Sequence, residues 1–161
     1  LPQIKHWPPI EGHACVDVIS GAVMFMRMEL FKGIGFFDPN IFLFFEDDDL
    51  CVRVRQAGYN ILFDPYIHVT HLGGKSSHPS RRGTYIKQKH YAWSRLYIYR
   101  KYLGNQGIAP SVHTTLQRDR AKYIRRLIRA FLTGNIIQLF KNWGGLMGVL
   151  AYQNAPERAP L

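Results

Sequence analysis

Four consecutive carboxylates, Glu46-Asp47-Asp48-Asp49, follow the apolar run Phe42-Leu43-Phe44-Phe45 and precede Leu50-Cys51-Val52-Arg53. Adjacent like charges repel, so such a run is solvated, held by a cation, or placed where chemistry needs a base. The aromatic run argues against an ordinary exposed acidic loop, because it would root the carboxylates at the edge of a core. Leu50, Val54 and Ala57 recur at i, i+4 and i+7, which predicts a helix over 46–57 with Gly58 as its stop. Acids in the first turn suit the positive end of the helix dipole. Capping and dipole complementation are the usual explanation of an acidic helix start, yet capping alone needs one or two acids, not four.

The neighbouring sequence punctuates itself clearly. Val16 to Arg27 reads as a strand through Ser20-Gly21-Ala22, and Glu29 to Gly33 as a short helical turn stopped by glycine. Phe37-Asp38-Pro39-Asn40 reads as a turn in which Asp38 and Asn40 bond locally. Asn60 to Phe63 and Tyr66 to Thr70 read as short strands around Asp64-Pro65. A polar loop over 73–83 then gives way to helical patterns over 84–103, 112–133 and 135–152. The expected organisation is a mixed α/β portion, residues 1–77, followed by a basic, aromatic-rich helical extension, residues 78–161. A sheet of so few strands is a poor domain by itself. With Leu1 as its first residue, the chain reads as the back half of something larger.

Charge divides along the same line. Residues 1–74 carry five Lys/Arg against nine Asp/Glu, while residues 75–141 carry fifteen against the single acid Asp119. A basic, aromatic-rich half suits anionic partners. No signal-peptide pattern opens the chain, and no apolar run reaches the roughly 18–20 residues of a spanning helix. The chain has two cysteines, Cys15 and Cys51, without metal-type spacing, and reduced thiols in a cytosolic protein are expected. The interleaved Tyr85, Tyr91, Trp93, Tyr97, Tyr99, Tyr102 and the stretch Arg125 to Leu132 have three explanations. Packing of a helical hairpin on its own domain ranks first, an amphipathic surface on an anionic membrane second. Nucleic acid ranks a distant third, since no nucleic-acid motif is present.

Single residues carry weaker signals. His71 ends a strand-like alternation just before Gly73-Gly74, where backbone can approach a ligand closely. A lone histidine there is more often an ordinary surface or core residue, though the acidic cluster upstream makes a divalent-cation site worth testing. Ser20-Gly21-Ala22 fits tight packing or close approach to a sugar. Lys75-Ser76-Ser77 and Arg81-Arg82 suit phosphate, with a basic loop as the default.

The order of these motifs resembles the second half of family 2 glycosyltransferases. The elements are Val18-Ile19-Ser20-Gly21-Ala22, Met26-Arg27, Gly35-Phe36-Phe37-Asp38, Phe45-Glu46-Asp47-Asp48-Asp49-Leu50-Cys51-Val52-Arg53, Ala57-Gly58-Tyr59, Pro65, and His71-Leu72-Gly73-Gly74-Lys75-Ser76. The branch most similar is the rhamnosyltransferase-like enzymes of cell-surface polysaccharide assembly. The resemblance covers about residues 16–77 and, less specifically, the helical extension. It implies the C-terminal half of a GT-A, Rossmann-like α/β domain. It implies inverting transfer from a nucleotide-sugar donor to a saccharide or lipid-linked acceptor, with a divalent metal, Mg or Mn. Residue by residue, it implies Asp47 as the general base, Glu46 at the acceptor, Gly21 and Ala22 lining the donor-sugar pocket, and His71 as a metal ligand. Asp49 would be structural, bonding backbone or Arg53 at i+4, and Asp48 departs from the commoner apolar residue. The metal-binding Asp-x-Asp of such enzymes is absent in its usual context. A missing N-terminal half of the same enzyme is therefore an expected partner, and the present stretch is expected to be inactive alone. The expected location is cytoplasmic, peripheral on the inner face of the membrane, with no nucleic-acid partner. The competing expectation is a non-catalytic module that docks on a membrane or a partner protein.

Overall fold

The computed structural model describes residues 12–71, 80–103 and 110–156. In chain order these form β1 (Ala14–Val16), α1 (Met28–Gly33), α2 (Glu46–Gln56), β2 (Ile61–Phe63), α3 (Arg81–Tyr102), α4 (Val112–Leu132) and α5 (Ile136–Asn154). Each long helix starts on a residue whose side chain satisfies an orphan backbone donor. The Ser80 hydroxyl accepts from Gly83 N at 2.9 Å, Ser111 from Thr114 N at 3.2 Å, and the Asn135 side chain from Gln138 N at 3.0 Å. Between α4 and α5 the chain turns at Gly134, whose φ of +64° lies in the left-handed region that glycine enters freely.

Helix α5 packs against both α3 and α4. The core of this helical unit is Ala92, Trp93, Leu96, Tyr123, Val149 and Tyr152. Gly144, Gly145 and Gly148, which weaken α5 as an isolated helix, are what allow the contact. A Cβ on Gly144 or Gly148 would overlap the carbonyl of Tyr85 or Lys89 on α3, and one on Gly145 would overlap the Tyr123 ring on α4. An ion pair between Arg95 and buried Asp119 ties α3 to α4.

The mixed portion is small. Strands β1 and β2 pair antiparallel, with Ala14 opposite Phe63, Cys15 opposite Leu62 and Val16 opposite Ile61. Cys51, Val54 and Ile61 form its buried cluster, bordered by Val16, Ile19, Met24, Met26 and Ile34. Cys15 and Cys51 are free thiols, and burial pushes Cys51 up.

The sheet departs from three sequence expectations. The described residues hold one two-stranded antiparallel sheet and a majority of helix, not the multi-stranded Rossmann-like sheet of a GT-A domain. The reason lies in where backbone donors go. The expected strand over 16–27 ends at Val16, because Gly21 N turns to the Asp47 carboxylate and Ala22 N to the Ser20 hydroxyl. The expected strand over 66–70 likewise forms no ladder. Tyr66 N bonds the Asp64 side chain instead, and Tyr66, Ile67 and Val69 are exposed. The predicted helices, by contrast, all form, with ends shifted by at most three residues.

Candidate functional site

The acidic run opens α2 from a strained approach. Phe44 and Phe45 sit at φ of +66° and +70°, a region bulky residues rarely adopt. Phe45 is the residue preceding the helix, and no side chain caps it. The four acids then diverge in role. Asp47 Oδ2 accepts from Gly21 N at 2.8 Å and its Oδ1 from Asp48 N at 3.0 Å. A Cβ on Gly21 would stand 3.2 Å from the Asp47 Cβ, so glycine keeps this approach open. Burial, followed by the neighbouring Asp47 charge, raises Asp48 above the usual carboxylate value. One oxygen of Glu46 is buried without a hydrogen-bond partner among the described residues.

Asp49 is the anchor of the group. It is 0% exposed and accepts from Arg53 Nε at 2.8 Å, Lys101 Nζ at 2.6 Å and the Tyr102 hydroxyl at 2.7 Å. The i+4 bond to Arg53 is the structural role expected for it. Arg53 also donates to the carbonyls of Ile34 and Phe36, both at 2.6 Å. Lys101 bridges onward to Asp38 Oδ2 at 2.7 Å, which also accepts from Tyr97 at 2.9 Å. Burial works to raise Asp38, but the bonds from Lys101, Asn40 N and Tyr97 outweigh it and hold the carboxyl below its ordinary value. Burial works to lower Lys101, yet Asp38 and Asp49 hold it above the ordinary lysine value. Burial and the bond to Asp49 push Tyr102 up to about 12. This clasp joins α2 and the 38–40 turn to the end of α3. Sequence reasoning singled out neither Lys101 nor Tyr102 individually. Their only signal was the interleaving of aromatic and basic residues, for which packing on the chain's own domain ranked first.

The structure therefore brings Gly21 and Asp47 together and leaves other nominated residues apart. Ala22 bonds back to Ser20 at 3.3 Å. His71 is exposed at the edge of the described chain. Among the described residues no group of three or more His, Cys, Asp or Glu could hold a metal ion. Among the described residues the carboxylates are tied to backbone N–H groups, Arg53, Lys101 and Tyr102 and do not assemble a Mg or Mn centre. Lys75, Ser76 and Ser77 lie outside the described residues.

A second surface stands out at the corner between α4 and α5. On α4, Ile124, Ile128 and Phe131 fall on one face at i, i+4 and i+7, and all three are exposed. Leu132 at the end of α4 and Ile136, Ile137 and Trp143 on α5 are exposed as well, with Phe131 76% and Leu132 77% exposed. Tyr123 and Ala130 define the buried face of α4, while exposed Arg125, Arg126 and Arg129 fill the remaining sector.

Comparison with known proteins returns one family. The model described as "Glycosyltransferase like family 2" matches residues 11–95. A rhamnosyltransferase, WbbL of Escherichia coli (strain K12), is 34% identical over 62 residues, covering 38% of this chain and 24% of that protein. An uncharacterized protein, y4gI of Sinorhizobium fredii (strain NBRC 101917 / NGR234), is 28% identical over 80 residues, 47% of this chain and 9% of that one. The matched stretch thus spans a quarter or less of either relative's length. No solved structure matches.

These findings correct further expectations. The family match occupies the N-terminal portion of this chain, residues 11–95, so the identification of a C-terminal half alone does not stand. The expectation of a missing N-terminal half as partner falls with it. The reading as an inverting nucleotide-sugar transferase is also overturned. Such a catalyst needs a multi-stranded sheet to position donor and base, and the described residues supply two strands of three residues each.

Proposed function

We propose a non-catalytic docking role for this chain, which belongs to glycosyltransferase like family 2 on a match spanning residues 11–95 of its 161. In this reading the α4–α5 corner rests on a membrane face. The observation that carries it is the three-sided character of α4: one face buried, one apolar and exposed, one arginine-rich. A helix exposing Ile124, Ile128 and Phe131 to water gains about 1.5–3 kcal/mol for each such side chain fully returned to an apolar medium. Each neighbouring arginine adds about 1 kcal/mol at an anionic surface. The placement is peripheral, since among the described residues no helix is long and apolar enough to cross a membrane. The cytoplasmic face, with its anionic lipids, is the surface these charges suit.

The division near residue 77 enters this reading as a proposal: residues 78–161 dock, and residues 1–77 are the part carried. Asp47 is assigned the task of tying the Gly21 turn to α2, a role supported by its 2.8 Å bond. The roles that the resemblance implies for Glu46, Ala22 and His71, and for Mg or Mn, are not needed by a docking module.

Co-sedimentation of the whole chain with vesicles tests the reading. Phosphatidylglycerol vesicles should retain the protein and phosphatidylcholine vesicles should not. Replacing two exposed side chains, Phe131→Ser with Leu132→Ser, should weaken retention by at least about tenfold. A wild-type chain that stays in the supernatant with both vesicle types would end the proposal.

A further inference from the structure

A cleft of about 460 Å³ opens between the last turns of α4 and the first turns of α5. Arg126, Arg129 and Lys141 line it, together with Thr133, Asn135 and Gln138. Its floor is fixed by Asn142, which is 6% exposed and donates to the Arg126 carbonyl at 3.4 Å and the Gln138 carbonyl at 2.7 Å. That amide bridges the two helices and holds the cleft's walls at a set spacing. The Thr133 hydroxyl donates to the Arg129 carbonyl at 2.9 Å, so the side chain is already oriented. Asn135 caps α5 itself, its side chain accepting from Gln138 N at 3.0 Å.

The electrostatics of this cleft are one-sided. From Arg120 to Pro156 the sequence contains no Asp or Glu, and it holds six Lys and Arg. Arg126, Arg129 and Lys141 make no salt bridge among the described residues. Three like charges facing one cavity repel unless an anion sits among them. Two guanidinium groups match a phosphate's oxygens with paired N–H donors, and an ammonium adds a point charge. Thr133 and Gln138 can complete the shell of a hydroxylated headgroup.

Position selects the source of the phosphate. Phe131, Leu132, Ile136 and Ile137 are exposed at the same helix–helix corner, within the same run of residues that lines the cleft. A free phosphate makes no use of exposed apolar side chains at the same corner. A phospholipid presents an anionic phosphate directly above acyl chains, which is the pairing this corner offers. We propose that the cleft between α4 and α5 is a specific site for the phosphate of an anionic phospholipid headgroup. Arg126, Arg129 and Lys141 grip the phosphate while Phe131, Leu132, Ile136 and Ile137 enter the acyl layer. This inference rests on the docking reading and adds a defined headgroup site to it.

The test uses the whole chain and two charge-matched pairs. Arg126→Gln with Arg129→Gln removes two charges from the cleft, and Arg81→Gln with Arg82→Gln removes two exposed charges at the start of α3. On phosphatidylglycerol vesicles the cleft pair should lose at least about tenfold in affinity and the control pair less than about threefold. Lys141→Gln alone should lose about threefold. Equal losses in the two pairs would overturn the site and leave only general surface attraction. A second arm needs no bilayer. Dihexanoyl phosphatidylglycerol below its micellar concentration should shift the Asn142 side-chain amide resonances in an NMR titration, and inorganic phosphate at the same concentration should shift them far less. Equal shifts would overturn the lipid assignment in favour of a free-phosphate site. Shifts with the soluble lipid but no vesicle binding would defeat the docking reading while leaving the cleft's specificity standing. Vesicle binding without shifts would do the reverse.

Discussion

Asp49 has no solvent contact, and its three donors come from two helices. Removing the charge from one side of such a cluster leaves Lys101 and Arg53 facing each other with less to hold them. Asp49→Asn should therefore cost about 3–5 kcal/mol in chemical denaturation. The adjacent Asp48 behaves oppositely, because burial and Asp47 already disfavour its charged form. Asp48→Asn should leave the urea midpoint unchanged or raise it. An Asp49→Asn midpoint equal to that of the native chain would show that the clasp is not a stabilising element. His90 supplies a pH signature. It is 5% exposed, tilted against Phe42 at 4.8 Å, and held below the ordinary histidine value by burial and then by Lys89. A depressed folded value means that its contribution is complete above about pH 6.5 and is lost as pH falls through the lower folded value. The urea midpoint should fall between pH 7.5 and pH 5, and His90→Leu should flatten that slope. For Asp38 the loss lies lower still, below the ordinary aspartate value of 3.8, so the two groups separate along the pH axis.

At the scale of the helix, glycine makes α5 what it is. Its three buried glycines let α3 and α4 approach where any side chain would intrude. Gly145→Ala and Gly148→Ala should each destabilise by about 1–3 kcal/mol, against the gain in intrinsic helix propensity. A thermal melt that rises on either change would contradict the close packing. Sequence legibility followed the same physics. Helices announce themselves locally, through apolar spacing and glycine stops, and all were readable, although the start of α3 on Ser80 was placed three residues late, at residue 84. Strands depend on partners elsewhere in the chain. Val18 to Met26 has the composition of a strand, but Gly21 N satisfies itself on Asp47, a residue 26 positions away. The acidic cluster was legible as special, and Asp49's bond to Arg53 was legible from its spacing. Its attachment to Lys101 and Tyr102, more than fifty positions away, was not.

For the whole molecule, salt separates the two contributions to docking. Raising ionic strength from about 0.1 M to 1 M shrinks the screening length from about 10 Å to about 3 Å. Attraction of Arg125, Arg126, Arg129 and Lys141 to an anionic surface should collapse over that range. The apolar contribution of Phe131 and Leu132 should persist. Vesicle retention should drop by at least about tenfold and level off above zero, whereas the Phe131→Ser, Leu132→Ser chain should fall to background. A wild-type curve that reaches background would mean that the corner touches headgroups without entering the acyl layer.

Helix α3 supplies Trp93 and Leu96 to the helical core and Lys101 and Tyr102 to the clasp on Asp49, and the family match stops inside it, at residue 95. Leu96, Lys101 and Tyr102 lie past that stop. A piece trimmed to the recognisable stretch would carry away Asp49 with only one of its three donors and Trp93 without the buried leucine beside it. The border of kinship and the border of the folding unit run through different residues, and cutting along the first would injure the second.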